Sequence, residues 1–380
     1  MFIDSGPGNM VKMNVNQVDI PEPHGGNVYR FVRESDIPVE EVLDFSASIN
    51  PFGLPPSAAE AVQAGIRSVV NYPDPDAAEL VDAIAGHMGV PPRSIICGNG
   101  STELIYFLPR ALRPESVLIP APTFSEYERA CLMAQKSGAG CKKSEEKDSI
   151  KYYSLDGDNF FDIDPSVFIR FMEGCDMAFL CNPNNPTGRV LTKDQVMNMA
   201  EAARSLGCYL VVDEAFIDFV PEESVIGAVR DNPFLIVLRS MTKFYALSGL
   251  RLGYGVFPRH VMETLKDFKE PWTVNTLAMK AGVAAIKDAE YRRRSLEFMR
   301  NEKEFFENEL VGLGVDFIPS SANFYLLNIG NAREVVSSLG RKGILVRDCS
   351  NFSGLESPHI RVAVKSRKDN VRLLNELNSL

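Results

Sequence analysis

The sequence predicts an α/β chain: a large domain whose mostly parallel central sheet is covered by helices, plus a smaller α+β domain. Three observations predict it. Short apolar runs with little polar alternation recur between helix-length stretches, the texture of strands buried on both faces. Several runs open at their ends into loops rich in Gly, Pro or Asn, where open α/β sheets place ligands. From about Val274 the texture changes to long charged helical stretches with shorter strand-like pieces. A chain of 380 residues also exceeds a single core, since cores stop growing near roughly 250–300 residues. The expected division is an N-terminal arm over 1–50, the large domain over 51–273 and the small domain over 274–380.

The elements follow in order. The first twenty residues read as a polar leader or arm. Ser57 to Val70 and Asp76 to Met88 read as helices; Ala77, Leu80, Val81, Ile84 and Met88 fall on one face of the second. Strands are expected at Ile95-Ile96, Val117 to Ile119, Met177 to Leu180, Leu210 to Val212, Leu235 to Leu238 and Gly253 to Phe257. Ser137 to Asp164, rich in Lys, Glu, Asp and Gly, reads as an exposed excursion with a strand at Lys151 to Leu155. In the last third, Phe324 to Asn328, Ile344 to Arg347 and Ile360 to Val364 alternate with helices. Arg292-Arg293-Arg294 and Glu302 to Glu309 read as charged helix faces.

Forty basic against fifty acidic residues give a net charge of −10, which argues against nucleic acid or a membrane surface as the main partner. The seven cysteines are odd in number and lack Cys-x-x-Cys spacing, and all but Cys141 lie in or beside apolar stretches. Reduced thiols in a cytoplasmic protein are the reading. No cysteine–histidine cluster points to a metal, and no apolar run approaches the length of a membrane span.

Five segments carry chemistry. Ser240-Met241-Thr242-Lys243 follows the apolar run Phe234 to Leu238, and Arg251 stands eight residues after the lysine. A lysine just past a buried strand, with a hydroxyl and an arginine able to grip a phosphate, suits an amine that holds pyridoxal phosphate as an imine. Asn182-Pro183-Asn184-Asn185-Pro186-Thr187-Gly188 and Asp213-Glu214-Ala215-Phe216 each follow an apolar run. An aspartate at such an end can pair with a pyridine nitrogen and keep it protonated, and Asn185 can bond the ring oxygen. Gly98-Asn99-Gly100-Ser101-Thr102 opens a helix whose backbone N–H groups can hold a phosphate. Pro122-Thr123-Phe124 offers an aromatic face. Each alone is ordinary turn, cap or core chemistry; five together, each after an apolar run, are not.

In these segments the chain resembles the class I/II aminotransferase superfamily of pyridoxal-phosphate enzymes over essentially its full length. The resemblance is nearest to the branch holding histidinol-phosphate aminotransferases and L-threonine-O-3-phosphate decarboxylases. It implies that Lys243 is the Schiff-base lysine, with Asp213 the pyridinium partner, Asn185 on the ring oxygen and Phe124 stacked on the ring. Gly100, Ser101, Ser240 and Arg251 would surround the cofactor phosphate. Tyr72, in Asn71-Tyr72-Pro73-Asp74, would reach the partner's phosphate, which implies a homodimer. The small domain would pack with the arm.

Within the branch, His24-Gly25-Gly26-Asn27 and Asp44 to Gly53 look like the opening of the decarboxylases. Phe216 stands where the aminotransferases usually place a tyrosine, and Glu126-Tyr127 and Glu270 to Asn275, with the one tryptophan, are further decarboxylase marks. Arg347 and Arg361 lie in apolar or strand-like runs, where an arginine is costly unless paired, so they read as anion ligands with His24 and Asn50 completing the substrate's contacts. The expected reaction is decarboxylation of L-threonine O-3-phosphate to (R)-1-amino-2-propanol phosphate, in cobalamin-type assembly. The alternative is amine exchange between histidinol phosphate and 2-oxoglutarate. A non-enzymatic binding module is disfavoured by the intact Lys243, Asp213, Asn185 and Arg251.

Overall fold

Seven strands form the central sheet of the computed structural model, which describes residues 24–136, 149–355 and 358–380. Across the sheet they are Ile95–Asn99, Leu252–Val256, Leu235–Ser240, Tyr209–Asp213, Met177–Cys181, Val117–Ala121 and Ile150–Ser154. All run one way except Leu252–Val256, which is antiparallel to both neighbours. Apolar content announces this strand in the sequence, but direction is set by pairing, which composition does not encode. Met177–Cys181, Val117–Ala121 and Leu235–Ser240 are buried at every position, because helices cover both faces. The edge strand Ile150–Ser154 exposes Lys151, Tyr152 and Ser154. Residues 137–148 of the predicted excursion, and 1–23 of the arm, lie outside the described residues.

Local chemistry sets the helix ends. Lys193–Leu206 starts at a capping box, with Thr192 Oγ1 accepting from the Gln195 amide, and stops at Gly207, whose φ of 70° only glycine adopts without strain. The predicted helix Ser57 to Val70 divides into an α-helix, Pro56–Gly65, and a 3-10 turn, Ile66–Val70. Its last residues include Ile66, Val69 and Val70, β-branched side chains that lower helix propensity. The second helix begins at Ala78, where Asp74 Oδ2 accepts from the Ala78 amide at 2.8 Å.

Thr276–Lys287, placed by its position in the sequence at the start of the smaller unit, packs instead on Pro56–Gly65 and Ala78–Met88. The fit is close: a Cβ on Gly282 would lie 2.5 Å from Leu252 Cδ2 and 2.9 Å from Leu80 Cδ1. Ala289–Gly312 then leads into a four-stranded antiparallel sheet ordered Arg347–Asp348, His359–Ala363, Phe324–Asn328, Asp316–Ile318. The run Ile344 to Arg347, read as one strand, divides at Val346. Ile344–Leu345 pairs in parallel with Leu43–Asp44 of the N-terminal segment, while Arg347–Asp348 joins the four-stranded sheet. Among the described residues no helix is long and apolar enough to cross a membrane.

Candidate active site

A cavity of about 440 Å³ opens where the parallel strands end and the four-stranded sheet faces them. It is lined by His24, Ser101, Phe124, Asn185, Asp213, Ser240, Lys243, Arg251, Arg347 and Arg361, so ten residues expected from separate parts of the sequence share one volume. Gly100 does not line it but sits beside Arg251.

One end is an anion cradle. Gly100, at φ 78°, precedes the helix Ser101–Leu112, whose first amides have no side-chain cap. A Cβ on Gly100 would lie 2.7 Å from Arg251 Nη2, so the glycine leaves room for the guanidinium. Arg251 itself takes the left-handed φ of 61°, a conformation costly for a non-glycine residue. Ser240 Oγ and Thr242 Oγ1 lie 2.7 Å apart on the facing wall. Helix-terminal amides, hydroxyls and a guanidinium are the donor set of a phosphate site.

Asp213, 2% exposed, ends its strand below the cavity. Burial raises its pKa to about 6, although the Tyr127 hydroxyl donates to Oδ2 at 2.7 Å and the Ala215 amide to Oδ1 at 3.1 Å. Tyr127 is a site residue whose role sequence reasoning missed. It lies one helical turn after Phe124, stacks on Phe179 at 4.8 Å and keeps its proton because burial pushes its pKa well up. The strand ends are locked beneath the site: Arg239, beside Ser240, pairs with Glu214, beside Asp213, at 3.0 Å, and bonds Asp218 as well. Arg239 and Glu214 are buried and Asp218 nearly so, and removing one partner would cost about 3–5 kcal/mol.

Lys243 Nζ stands 5.8 Å from the centroid of the Phe216 ring. Burial first, then the charges of Arg361 and Arg251, lower its pKa to about 8, which gives a substantial neutral fraction near pH 7.5. Phe216 is buried in the wall and offers no hydroxyl.

The opposite wall carries the two arginines. Arg347 and Arg361 are register partners on adjacent antiparallel strands, like charges side by side, an arrangement that repels unless an anion lies between. Arg361 bonds Asn185 Oδ1 through Nη1 and the Ser46 carbonyl through Nη2 at 3.0 Å. Asn185 thus contacts Arg361 as well as facing the cavity. Arg347 Nη2 donates to Asn351 Oδ1 at 2.7 Å.

Asn50 requires correction. It does not line the cavity. Its Nδ2 donates to the Phe244 carbonyl and to Ser295 Oγ, and its Oδ1 accepts from the Phe52 amide, so its amide group clamps the loop that follows Lys243. Nor does Tyr72 enter this chain's own cavity; it is 81% exposed and lies against Trp272, ring centroids 5.0 Å apart.

The model of the family "Aminotransferase class I and II" matches residues 40–377. The chain belongs to that family. It is 37% identical over 363 residues to a threonine-phosphate decarboxylase of Salmonella typhimurium, covering 94% of this chain and 96% of the relative. A histidinol-phosphate aminotransferase of Methanococcoides burtonii is 32% identical over 361 residues, covering 94% and 95%. The solved structure of the histidinol-phosphate aminotransferase from Clostridium acetobutylicum superposes with a TM-score of 0.80 at 30% identity, covering 89% of this chain and 98% of that one.

The cofactor of this aminotransferase-family chain is pyridoxal 5′-phosphate. The site fits it: a donor cradle for one phosphate, a buried carboxylate with no cationic partner in contact among the described residues, and a lysine amine facing the same space. Two further wall atoms, Ser48 Oγ and Arg361 Nε, are buried and find no partner among the described residues, as a polar ligand's site requires.

Proposed function

We propose that the chain decarboxylates L-threonine O-3-phosphate to (R)-1-amino-2-propanol phosphate with pyridoxal phosphate. The observation that carries this is the surplus of cationic groups in a small cavity. With Arg251 given to the cofactor phosphate, Arg347, Arg361, Arg129 and His24 still face one volume. They match a substrate anionic at both ends, as a phosphorylated amino acid is; of the amine-exchange pair, histidinol phosphate is anionic at one end and 2-oxoglutarate at both. The similarity to a threonine-phosphate decarboxylase and the lack of a hydroxyl at Phe216 support the same choice.

Gly100, Ser101, Ser240 and Arg251 would hold the cofactor phosphate, Asp213 the ring nitrogen, Asn185 the ring oxygen and Phe124 a ring face. When bound, pyridoxal phosphate supplies a sink for the electron pair released by a bond to Cα. Which bond breaks is set by orientation, and orientation is the work of the arginines. Arg347 and Arg361 fix one anionic end, Arg129 and His24 the other, so that the Cα–carboxylate bond is held for cleavage. Carbon dioxide leaves, and Lys243 delivers the proton that replaces it on Cα.

The deciding assay offers purified holoenzyme L-threonine phosphate, L-serine phosphate, and histidinol phosphate with 2-oxoglutarate, measuring carbon dioxide and glutamate in parallel. Carbon dioxide from a phosphoamino acid supports the reading. Glutamate from histidinol phosphate, without carbon dioxide from either phosphoamino acid, overturns it in favour of amine exchange, the activity named for the relatives at 30–32% identity. Arg361→Ala should raise KM about 10–100-fold, the worth of a charge-assisted bond, with cofactor affinity within twofold of wild type. Equal loss of both would misplace this residue.

The working unit on this reading is a homodimer in which Tyr72 serves the partner's cradle. Its support is an apolar face that includes Val70, 84% exposed, and Tyr72, with Ile66, Val69 and Trp272 beside them. Sedimentation should give a dimer at micromolar concentration; a fully active monomer would remove the assignment.

A further inference from the structure

Among the described residues the cavity wall holds, besides Asp213, one carboxylate, Glu126, to which the mechanism above gives no task. It opens the helix Glu126–Lys136 and is 5% exposed. His24 Nε2 meets Oε1 at 2.8 Å, the Tyr106 hydroxyl donates to Oε2, and Arg129 Nη1 lies 3.6 Å from Oε1. Burial pushes its pKa up, but the bonds from His24 and Tyr106 outweigh that and hold it below the usual glutamate value. Tyr106 is pushed up to about 12 by burial and by the carboxylate itself, so it stays a donor. Glu126 is therefore an anion at neutral pH in the wall where an anionic substrate end must sit, beside His24 and Arg129 and together with Arg347.

An ionised carboxylate accepts about four hydrogen bonds. His24 and Tyr106 account for two, which leaves lone pairs for a ligand. A second carboxylate cannot use them, because a group of pKa near 4 carries no proton at pH 7 and meets Glu126 as a like charge. A phosphate monoester can, because its second ionisation lies near pH 6 and keeping that proton is cheap. Its P–O–H then donates to Glu126 while its other oxygens face His24 and Arg129.

We propose that Glu126 is a specificity-determining residue that lets this end of the cavity take a phosphate monoester and turn away a carboxylate. The inference rests on the reading that one end of the substrate is a phosphate. Its consequence is chemical: the acceptor in amine exchange is a 2-oxo dicarboxylic acid, carboxylated at both ends, and Glu126 disfavours it. The family fold is thereby turned from transfer toward decarboxylation at the level of binding.

The test uses two unreactive ligands alike except at one end, 3-phosphonopropionate and succinate, so its outcome does not depend on which reaction the enzyme performs. Their affinities for the cofactor-loaded protein are measured by calorimetry from pH 6 to 9. In wild type the phosphonate should bind at least tenfold more tightly at pH 7. That preference should shrink as pH rises through the phosphonate's second ionisation. Glu126→Gln should reduce the preference at least tenfold, chiefly by tightening succinate. Tyr106→Phe should leave it within threefold. A Glu126→Gln protein with wild-type Tm and cofactor spectrum and an unchanged ratio overturns the proposal. So does a wild-type ratio that is flat from pH 6 to 9, a result that needs no variant to fold. If the deciding assay shows no decarboxylation but the ratio behaves as stated, Glu126 keeps this role and only the reaction is reassigned.

Discussion

Replacing Lys243 with alanine is expected to lower kcat by at least about 10⁴ while leaving a folded protein that still binds pyridoxal phosphate. A positioned proton donor contributes about 10²–10⁴, and the amine is also the group that captures and releases the cofactor's carbonyl carbon. Stability should not fall with activity. The folded-state pKa of Lys243, about 8, lies below the ordinary value of 10.5, so the folded chain binds fewer protons between those values. Carrying the charge below pH 8 therefore destabilises the native state, and that penalty fades as pH rises toward 10.5. Removing the amine at pH 7 should leave Tm equal or slightly raised. The cradle of Gly100, Ser101, Ser240 and Arg251 is untouched and should retain the phosphate. Borohydride should fix the cofactor to wild type and not to the variant. A Lys243→Ala enzyme that keeps more than 1% of wild-type turnover would place the proton donor elsewhere.

The residues legible in the sequence share a physical property: each stands at a discontinuity, where an apolar run meets a loop. Asp213, Ser240 and the loops carrying Asn185 and Phe124 are placed by the end of a strand, and strand ends are visible as the last apolar residue. What escaped is what depends on partners distant in sequence. Tyr127 sits inside a helix and becomes a ligand of Asp213 only because the parallel strands Val117–Ala121 and Tyr209–Asp213, on either side of Met177–Cys181, bring residues 86 apart together. Asn50 carries a polar side chain in a tight turn beside the site, which the pattern could not separate from a substrate ligand. Only the fold shows that Phe244 and Ser295, 194 and 245 residues on, take up its amide. The break at Val346 is of the same kind: two strand-forming dipeptides read as one run, and the sheets they join are decided by Leu43–Asp44 and His359–Ala363. Glu126 was legible as a residue type and illegible as a role. Its meaning comes from His24, on the far side of a hundred residues.

Asp213→Asn should move activity and stability in opposite directions. In the cofactor-free protein the buried carboxyl has a pKa of about 6, against an ordinary value of 3.8. Here the folded state binds more protons than the unfolded one between those values, so stability from this group is present below pH 4 and is lost as pH rises through 6. The loss above pH 6 is about 3 kcal/mol, the worth of a two-unit shift. Asparagine keeps the shape without the buried charge: its Oδ1 can accept from the Ala215 amide while its Nδ2 donates to the Tyr127 hydroxyl oxygen. The cofactor-free variant should therefore melt several degrees higher at pH 7.5 and show no gain near pH 4. With cofactor bound, wild type regains what it lost, because the carboxylate then faces a cation, so pyridoxal phosphate should raise Tm more in wild type than in the variant. Catalysis runs the other way. A neutral amide does not hold the ring nitrogen protonated, and removing one such preorganised charge costs on the order of 10²–10³ in kcat. The paired measurement is thermal melting with and without cofactor at pH 4 and 7.5, beside kcat on the same preparations. Equal melting at pH 7.5 with kcat within threefold of wild type would mean that no positive charge meets this carboxylate, and the orientation assigned to the cofactor ring would be wrong.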